Sequence, residues 1–122
     1  MATVELTTEN FESVINDNPN VIIDFWAGWC GPCRSFAPTY EAASEARTDI
    51  VFGKVDTEAQ QAIAASFNIR SIPTLMIFRD QIIIYSESGA LPAQAFDQLV
   101  EQAMALDMDQ VRAEIAGQGA DG

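Results

Sequence analysis

Val21-Ile22-Ile23-Asp24-Phe25-Trp26-Ala27-Gly28-Trp29-Cys30-Gly31-Pro32-Cys33 is the stretch on which the fold turns. Its first seven residues form an apolar run broken by a single carboxylate. The run is too short for a helix and has the composition of a central strand covered on both faces. Pro32 fits the first position of a following helix, where its missing amide costs little and its fixed φ is already helical. The stretch therefore reads as a strand that delivers two cysteines to a helix N-terminus, with Cys30 at or before the first turn.

Outward from it, strands and helices alternate. Ile50–Val55, Thr74–Phe78 and Ile82–Tyr85 read as further strands, and Val4–Leu6 as a short edge strand. Thr8 is placed to cap a helix carrying Phe11, Val14 and Ile15, which runs out near Asn18-Pro19-Asn20. Cys33–Arg47 sets Phe36, Ala37, Tyr40, Ala43 and Ala46 on one face, with a kink expected at Pro38. Ala59–Phe67, with Ile63, Ala64 and Phe67, and Ala93–Leu106, with Phe96, Leu99, Val100 and Ala103, have the same helical spacing. The class is α/β: parallel strands joined by crossover helices, an antiparallel hairpin at one edge and helices on both faces. In such sheets chemistry sits beyond the carboxyl ends of the strands, so the residues after Trp26 are the candidates. Asp80-Gln81 suits a tight type I′ hairpin less well than glycine would, which predicts a longer or different turn.

Composition narrows the function. The 122 residues are 48% apolar and 20% charged, enough for one core without several disulfides or a structural metal. Eighteen acids against six basic residues give a net charge of −12, which repels both a phosphate backbone and an anionic leaflet. Neither nucleic acid nor a membrane is an expected partner. The acidic Met1–Leu6 does not read as a secretory or transit signal, and a cytoplasmic location is expected.

At a helix N-terminus, free amides and the macrodipole lower a thiol pKa, so Cys30 is expected as the nucleophile. Two intervening residues bring Cys33 within range to attack the mixed disulfide that Cys30 forms, making it the resolving thiol. Gly31 allows another backbone to approach. Three other readings stand beside this one. Zinc would need carboxylates or a second chain, because the sequence has two cysteines and no histidine. A structural disulfide closing so short a loop contributes only about 2 kcal/mol. Inert core thiols conflict with the Gly-Pro spacer and the adjacent Trp29. Asp24, the one ionisable group of its strand, is expected to be buried with a raised pKa.

Phe25-Trp26-Ala27-Gly28-Trp29-Cys30-Gly31-Pro32-Cys33 resembles the active-site segment of the thioredoxin family, as does Ile72-Pro73-Thr74 downstream. The likeness extends from about Val4 to Leu106 and takes in Asp24, Pro38, Lys54-Val55-Asp56 and Ser88-Gly89-Ala90. It implies a thioredoxin fold of about five strands flanked by four helices over residues 1–106. Residues 107–122 form an extension, partly helical or disordered. In it Met108, Val111 and Ile115 offer a short extra helix, a partner-binding segment or a frayed tail, and Gly117–Gly122 a mobile end.

The resemblance further implies a general protein thiol-disulfide oxidoreductase. Such a protein reduces diverse disulfide-containing proteins and is re-reduced by thioredoxin reductase. It would act as a monomer and with no cofactor or metal beyond its own disulfide. Asp24 would act as the base for Cys33, with Lys54 beside it and Gly31 and Pro32 tuning the pair. Ile72 and a cis Pro73 would bind substrate, and Trp29, Gly31, Ile72, Gly89 and Ala90 would form a contact patch. Two rivals remain: an oxidase or isomerase using the same cysteines, and a binding subunit whose redox chemistry is incidental.

Overall fold

The computed structural model describes residues 2–121, the last four by their backbone alone; Met1 and Gly122 lie outside the described residues. The elements run β1 (Val4–Glu5), α1 (Phe11–Asp17), β2 (Asn20–Trp26), α2 (Gly31–Ala46), β3 (Val51–Asp56), α3 (Gln61–Ser66), β4 (Thr74–Arg79), β5 (Ile82–Ser88), α4 (Ala93–Ala105) and α5 (Met108–Asp121). One sheet holds all five strands in the order β1-β3-β2-β4-β5. β1, β3 and β2 are parallel, while β4 runs antiparallel to β2 and β5 antiparallel to β4. The expected mixed sheet is therefore present, with β2 at its centre.

The alternation along β2 separates two cores. Ile22 joins Phe36, Tyr40, Phe52, Leu75, Ile77, Phe96 and Val100 under α2 and α4, and Val21, Ile23 and Phe25 join Leu6, Ile15, Val55, Ile63 and Phe78 on the other face. Each fully buried side chain of this kind contributes about 1.5–3 kcal/mol. The aromatic rings on the α2 face meet edge-on: Phe36 and Phe96 centroids lie 5.2 Å apart at 86°, and Tyr40 and Phe52 5.4 Å apart at 76°. The Tyr40 hydroxyl reaches the Ile22 carbonyl at 2.9 Å and that of Gly53 at 2.7 Å, which ties α2 to β2 and β3. Gly53 is required for close packing, because a Cβ there would lie 2.5 Å from Leu6 Cδ1. By the same period of two, Asp24 shares the Ile22 face, the one that α2 covers.

Four expectations are corrected. Asn10, not Thr8, stands at the N-cap position of α1, with no side-chain bond to the helix, because Thr7 through Asn10 form a turn in which the Thr7 carbonyl accepts from Phe11 N at 2.9 Å. The buried face of α2 is Cys33, Phe36, Tyr40, Ala43 and Ser44, and Ala46 is exposed at the end of the helix. Gly31 is the first residue of α2 and Pro32 the second, still within the turn whose amides lack helical partners.

The fourth correction is the hairpin. Arg79 pairs with Ile82, so the loop is the two residues Asp80 and Gln81, and both adopt the positive φ of a type I′ turn, 51° and 69°. Contacts from elsewhere hold them there. Asp80 N donates to the Pro19 carbonyl at 2.8 Å, Gln81 Nε2 to the Asn16 carbonyl at 3.1 Å, and Arg112 to Asp80 Oδ2 at 2.9 Å.

The extension is helical from Met108 to Asp121, so the 117–122 stretch expected as a mobile end is helical as far as it is described. Asp107 caps α5, its Oδ1 accepting from Asp109 N at 3.0 Å and Gln110 N at 3.3 Å. Of the apolar stripe, Met108 is buried, Val111 half-buried and Ile115 exposed, so α5 docks by its first turn. No helix among the described residues is long and apolar enough to cross a membrane.

Candidate redox site

β2 runs out at Trp26, and buried Ala27 is followed by exposed Gly28 and Trp29. Cys30 N then donates to the Ala27 carbonyl at 3.2 Å, a turn that aims the chain into α2. Cys30 is the N-cap, with extended backbone angles, and its Sγ accepts the backbone N–H of Cys33 at 3.2 Å. A sulfur at the cap of a 16-residue helix sits against unpaired amides and the positive end of the dipole. Both favour thiolate over thiol when the pair is reduced. In this structure Cys30 and Cys33 are joined as a disulfide with Cα atoms 5.2 Å apart.

Each cysteine is only 3% exposed, although Trp29 and Pro32 between and before them are open to solvent. The exposed turn expected from the Gly-Pro spacer is thus real, while the sulfurs lie beneath it. Ala27, Cys30 and Cys33 form a small apolar cluster against which Trp26 and Ile72 pack.

The Ile72-Pro73 peptide bond is cis, as the family resemblance implied. The Ile72 carbonyl lies 3.7 Å from Cys30 Sγ, within reach of a thiol proton in the reduced state. Pro73 in turn accepts Gly89 N at 2.8 Å through its carbonyl. Gly89 has φ +114°, a conformation open to glycine and strained for other residues, and this brings the exposed Gly89-Ala90 segment beside the proline. Trp29 is 68% exposed, and its indole N–H donates to Glu58 Oε1 at 3.0 Å. Trp26 beneath is half-buried.

Asp24 is 1% exposed, with no hydrogen-bond partner for Oδ1. Burial drives its pKa up to about 7, against a smaller opposing pull from the Lys54 ammonium. Lys54 faces Asp24 in the β2–β3 register, yet its Nζ lies over the Trp26 ring, 4.9 Å from the centroid. The lysine therefore tempers the carboxyl electrostatically while resting on the indole.

Glu58 and Arg34 were not among the residues singled out from sequence. Arg34 Nη1 donates to the Gly28 carbonyl at 2.9 Å and pins the loop before Cys30. Glu58 follows a strand's carboxyl end, the position rule that also pointed to Cys30. Among the described residues no group of three or more His, Cys, Asp or Glu could hold a metal ion.

A disulfide at a helix N-terminus, with the carbonyl before a cis-proline 3.7 Å from one of its sulfurs, defines a dithiol redox protein. The thioredoxin family model matches residues 2–102. A relative in Streptomyces coelicolor that bears a thioredoxin name is 56% identical over 119 residues, covering 98% of this chain and 89% of that one. The thioredoxin of Alicyclobacillus acidocaldarius is 39% identical, covering 80% of this chain and 99% of that one. Among solved structures, Plasmodium falciparum thioredoxin superposes with a TM-score of 0.77 at 37% identity, covering 82% of this chain and 98% of that one. The chain belongs to the thioredoxin family. It is a protein-disulfide oxidoreductase whose redox group is its own disulfide, and proteins of this family need no other cofactor. They are generally reduced by thioredoxin reductase and act on disulfide substrates.

Proposed function

We propose that this protein is a general reductant of protein disulfides in the cytoplasm, re-reduced by a thioredoxin reductase. The Cys30 thiolate attacks one sulfur of a substrate disulfide, forming a mixed disulfide and releasing the other substrate sulfur as thiolate. Cys33 then gives its proton to the Asp24 carboxylate and attacks Cys30 Sγ, which releases the second substrate sulfur and leaves Cys30–Cys33 oxidised. Two electrons pass to substrate, and the reductase returns them. Gly31 and Pro32 set the spacer, and Lys54 holds the Asp24 pKa near neutrality instead of higher.

Substrate lies along Trp29, Gly31, Ile72, Pro73, Gly89 and Ala90, with the Ile72 backbone pairing to an extended segment. Residues 1–106 carry the chemistry, and residues 107–122 form an appended segment. The observation that supports this most is the Cys33 amide on Cys30 Sγ at 3.2 Å, a bond that stabilises anionic sulfur on Cys30 in particular. The test is Cys33→Ser, which should stall as a covalent Cys30–substrate disulfide detectable by intact mass. Multiple turnover by that variant at the wild-type rate would refute the two-thiol mechanism.

A further inference from the structure

Only six basic residues stand against eighteen acids, and five of the six are engaged, Arg34 through the Gly28 carbonyl. Arg47 pairs with Glu101 and Arg112 with Asp80 and Asp109, while Arg79 donates to the Ala103 carbonyl near the end of α4 and Lys54 lies over Trp26. Arg34 and Arg70 are exposed and form no ion pair among the described residues. Arg34 is the residue after Cys33, and Arg70 lies two residues before Ile72, whose carbonyl is 3.7 Å from Cys30 Sγ.

Arg34 follows Cys33 in the first turn of α2, and its bond to the Gly28 carbonyl holds the guanidinium beside the loop leading into Cys30. Arg70 lies two residues before Ile72, a span of at most about 7 Å. It lines an open polar groove with Ser71, Thr74, Glu87 and Ser88 beside the cis-proline loop. Acids at this end of the sheet include Glu58, held by the Trp29 indole, Asp56, which accepts the amides of Glu58 and Ala59, and Glu87 in the same groove.

We infer that Arg34 and Arg70 are specificity determinants that select substrate segments carrying carboxylate side chains on the residues flanking the cystine. This rests on the reading of the site as a disulfide reductant. A guanidinium presents five N–H donors in a fork that matches a carboxylate, and Arg34 spends one on Gly28. The net charge of −12 acts the other way and favours cationic substrates from a distance. Ionic strength separates the two effects: at 0.15 M the screening length is about 8 Å, so contact charges persist while those across the surface fade.

The test uses three cystine peptides that differ only in flanking Glu, Gln or Lys, reduced at about 0.15 M ionic strength. Wild type, Arg34→Gln, Arg70→Gln, the double variant and the Arg34→Lys/Arg70→Lys pair are compared by kcat/KM. Wild type should prefer the Glu peptide to the Lys peptide roughly fivefold, as two partly exposed pairs allow. Each Gln substitution should shrink that ratio, the double variant should bring it to one or below, and the Lys pair should keep it above one. Because Arg34 also pins the Gly28 loop, each variant is judged by its own Glu-to-Lys ratio, which a loss common to all three peptides leaves unmoved. A wild-type ratio at or below one, or an unchanged ratio in the double Gln variant, would overturn the inference. Failure of wild type to reduce even the Gln peptide would instead defeat the reductant reading beneath it.

Discussion

The two ends of the sheet carry unusual backbone and hold it by opposite means. At the carboxyl end of β2, the cysteine loop and the cis Ile72-Pro73 segment pack through buried, mostly apolar contacts, and Asp24 leaves a carboxylate oxygen without a partner. At the other end, Asp80 and Gln81 sit at positive φ on the surface, each tied by a hydrogen bond to the α1–β2 segment and one of them also to Arg112. Strain at the turn is local and compensated by polar contacts. The burial cost at Asp24 is offset only in part by the Lys54 ammonium and falls on a group that the proposed mechanism uses as a base. The difference predicts that the turn can be improved without touching activity, whereas relieving the redox end trades activity for stability.

The largest effect is expected at the nucleophile. Cys30→Ser should reduce disulfide turnover to the uncatalysed background in an insulin-type reduction assay, with the fold retained by circular dichroism. Retained turnover would remove the redox end from the comparison altogether.

Next comes Asp24→Asn. The folded pKa of about 7 lies above an unfolded value near 3.8. Below about pH 4 both states hold the proton; between about 4 and 7 only the folded state does. Stability from this group is therefore full at low pH and is lost as pH rises through 7, by roughly 4 kcal/mol at most. The Asn variant should lack that decline and be more stable at pH 8 by about 2–4 kcal/mol in urea titrations. Its turnover should also lack the inflection near pH 7 that the Asp24 pKa predicts for wild type. A variant less stable than wild type at pH 8 would mean that the carboxylate is not a burden there.

At the turn, Gln81→Gly should stabilise by up to about 1 kcal/mol, because glycine adopts φ 69° without steric cost. The lost bond to the Asn16 carbonyl offsets part of the gain. Disulfide turnover should be unchanged, and a loss of turnover would show that the two ends are coupled. The smallest effect is Arg112→Ala, which removes two exposed ion pairs, to Asp80 and to Asp109. It should lower the thermal midpoint slightly at low salt, hardly at all at high salt, and leave turnover alone.

These two ends also differ in how far the sequence discloses them. The redox end is written in short-range pattern: an apolar strand, one anomalous Asp24, a cysteine spacing and a proline suited to a helix start. Even there, the position of Lys54 over Trp26 and the Glu58–Trp29 bond depend on side-chain packing between elements, which no local pattern encodes. The turn was misread because Gln81 has no intrinsic preference for a positive φ angle and Asp80 only a modest one. Residues about 30 to 65 positions away in the chain impose both angles, through Pro19, Asn16 and Arg112. The cap of α1 at Asn10 and the shallow docking of α5 by Met108 were hidden for the same reason, since propensity and periodicity say what can form and tertiary contact decides where it stops.

The most direct test of the central claim is the equilibrium reduction potential of Cys30–Cys33, measured in dithiothreitol redox buffers through Trp26 and Trp29 fluorescence. A reductant of protein disulfides should titrate near the established thioredoxin value of about −270 mV. A value between about −120 and −180 mV, the range of disulfide oxidants and isomerases, would contradict it.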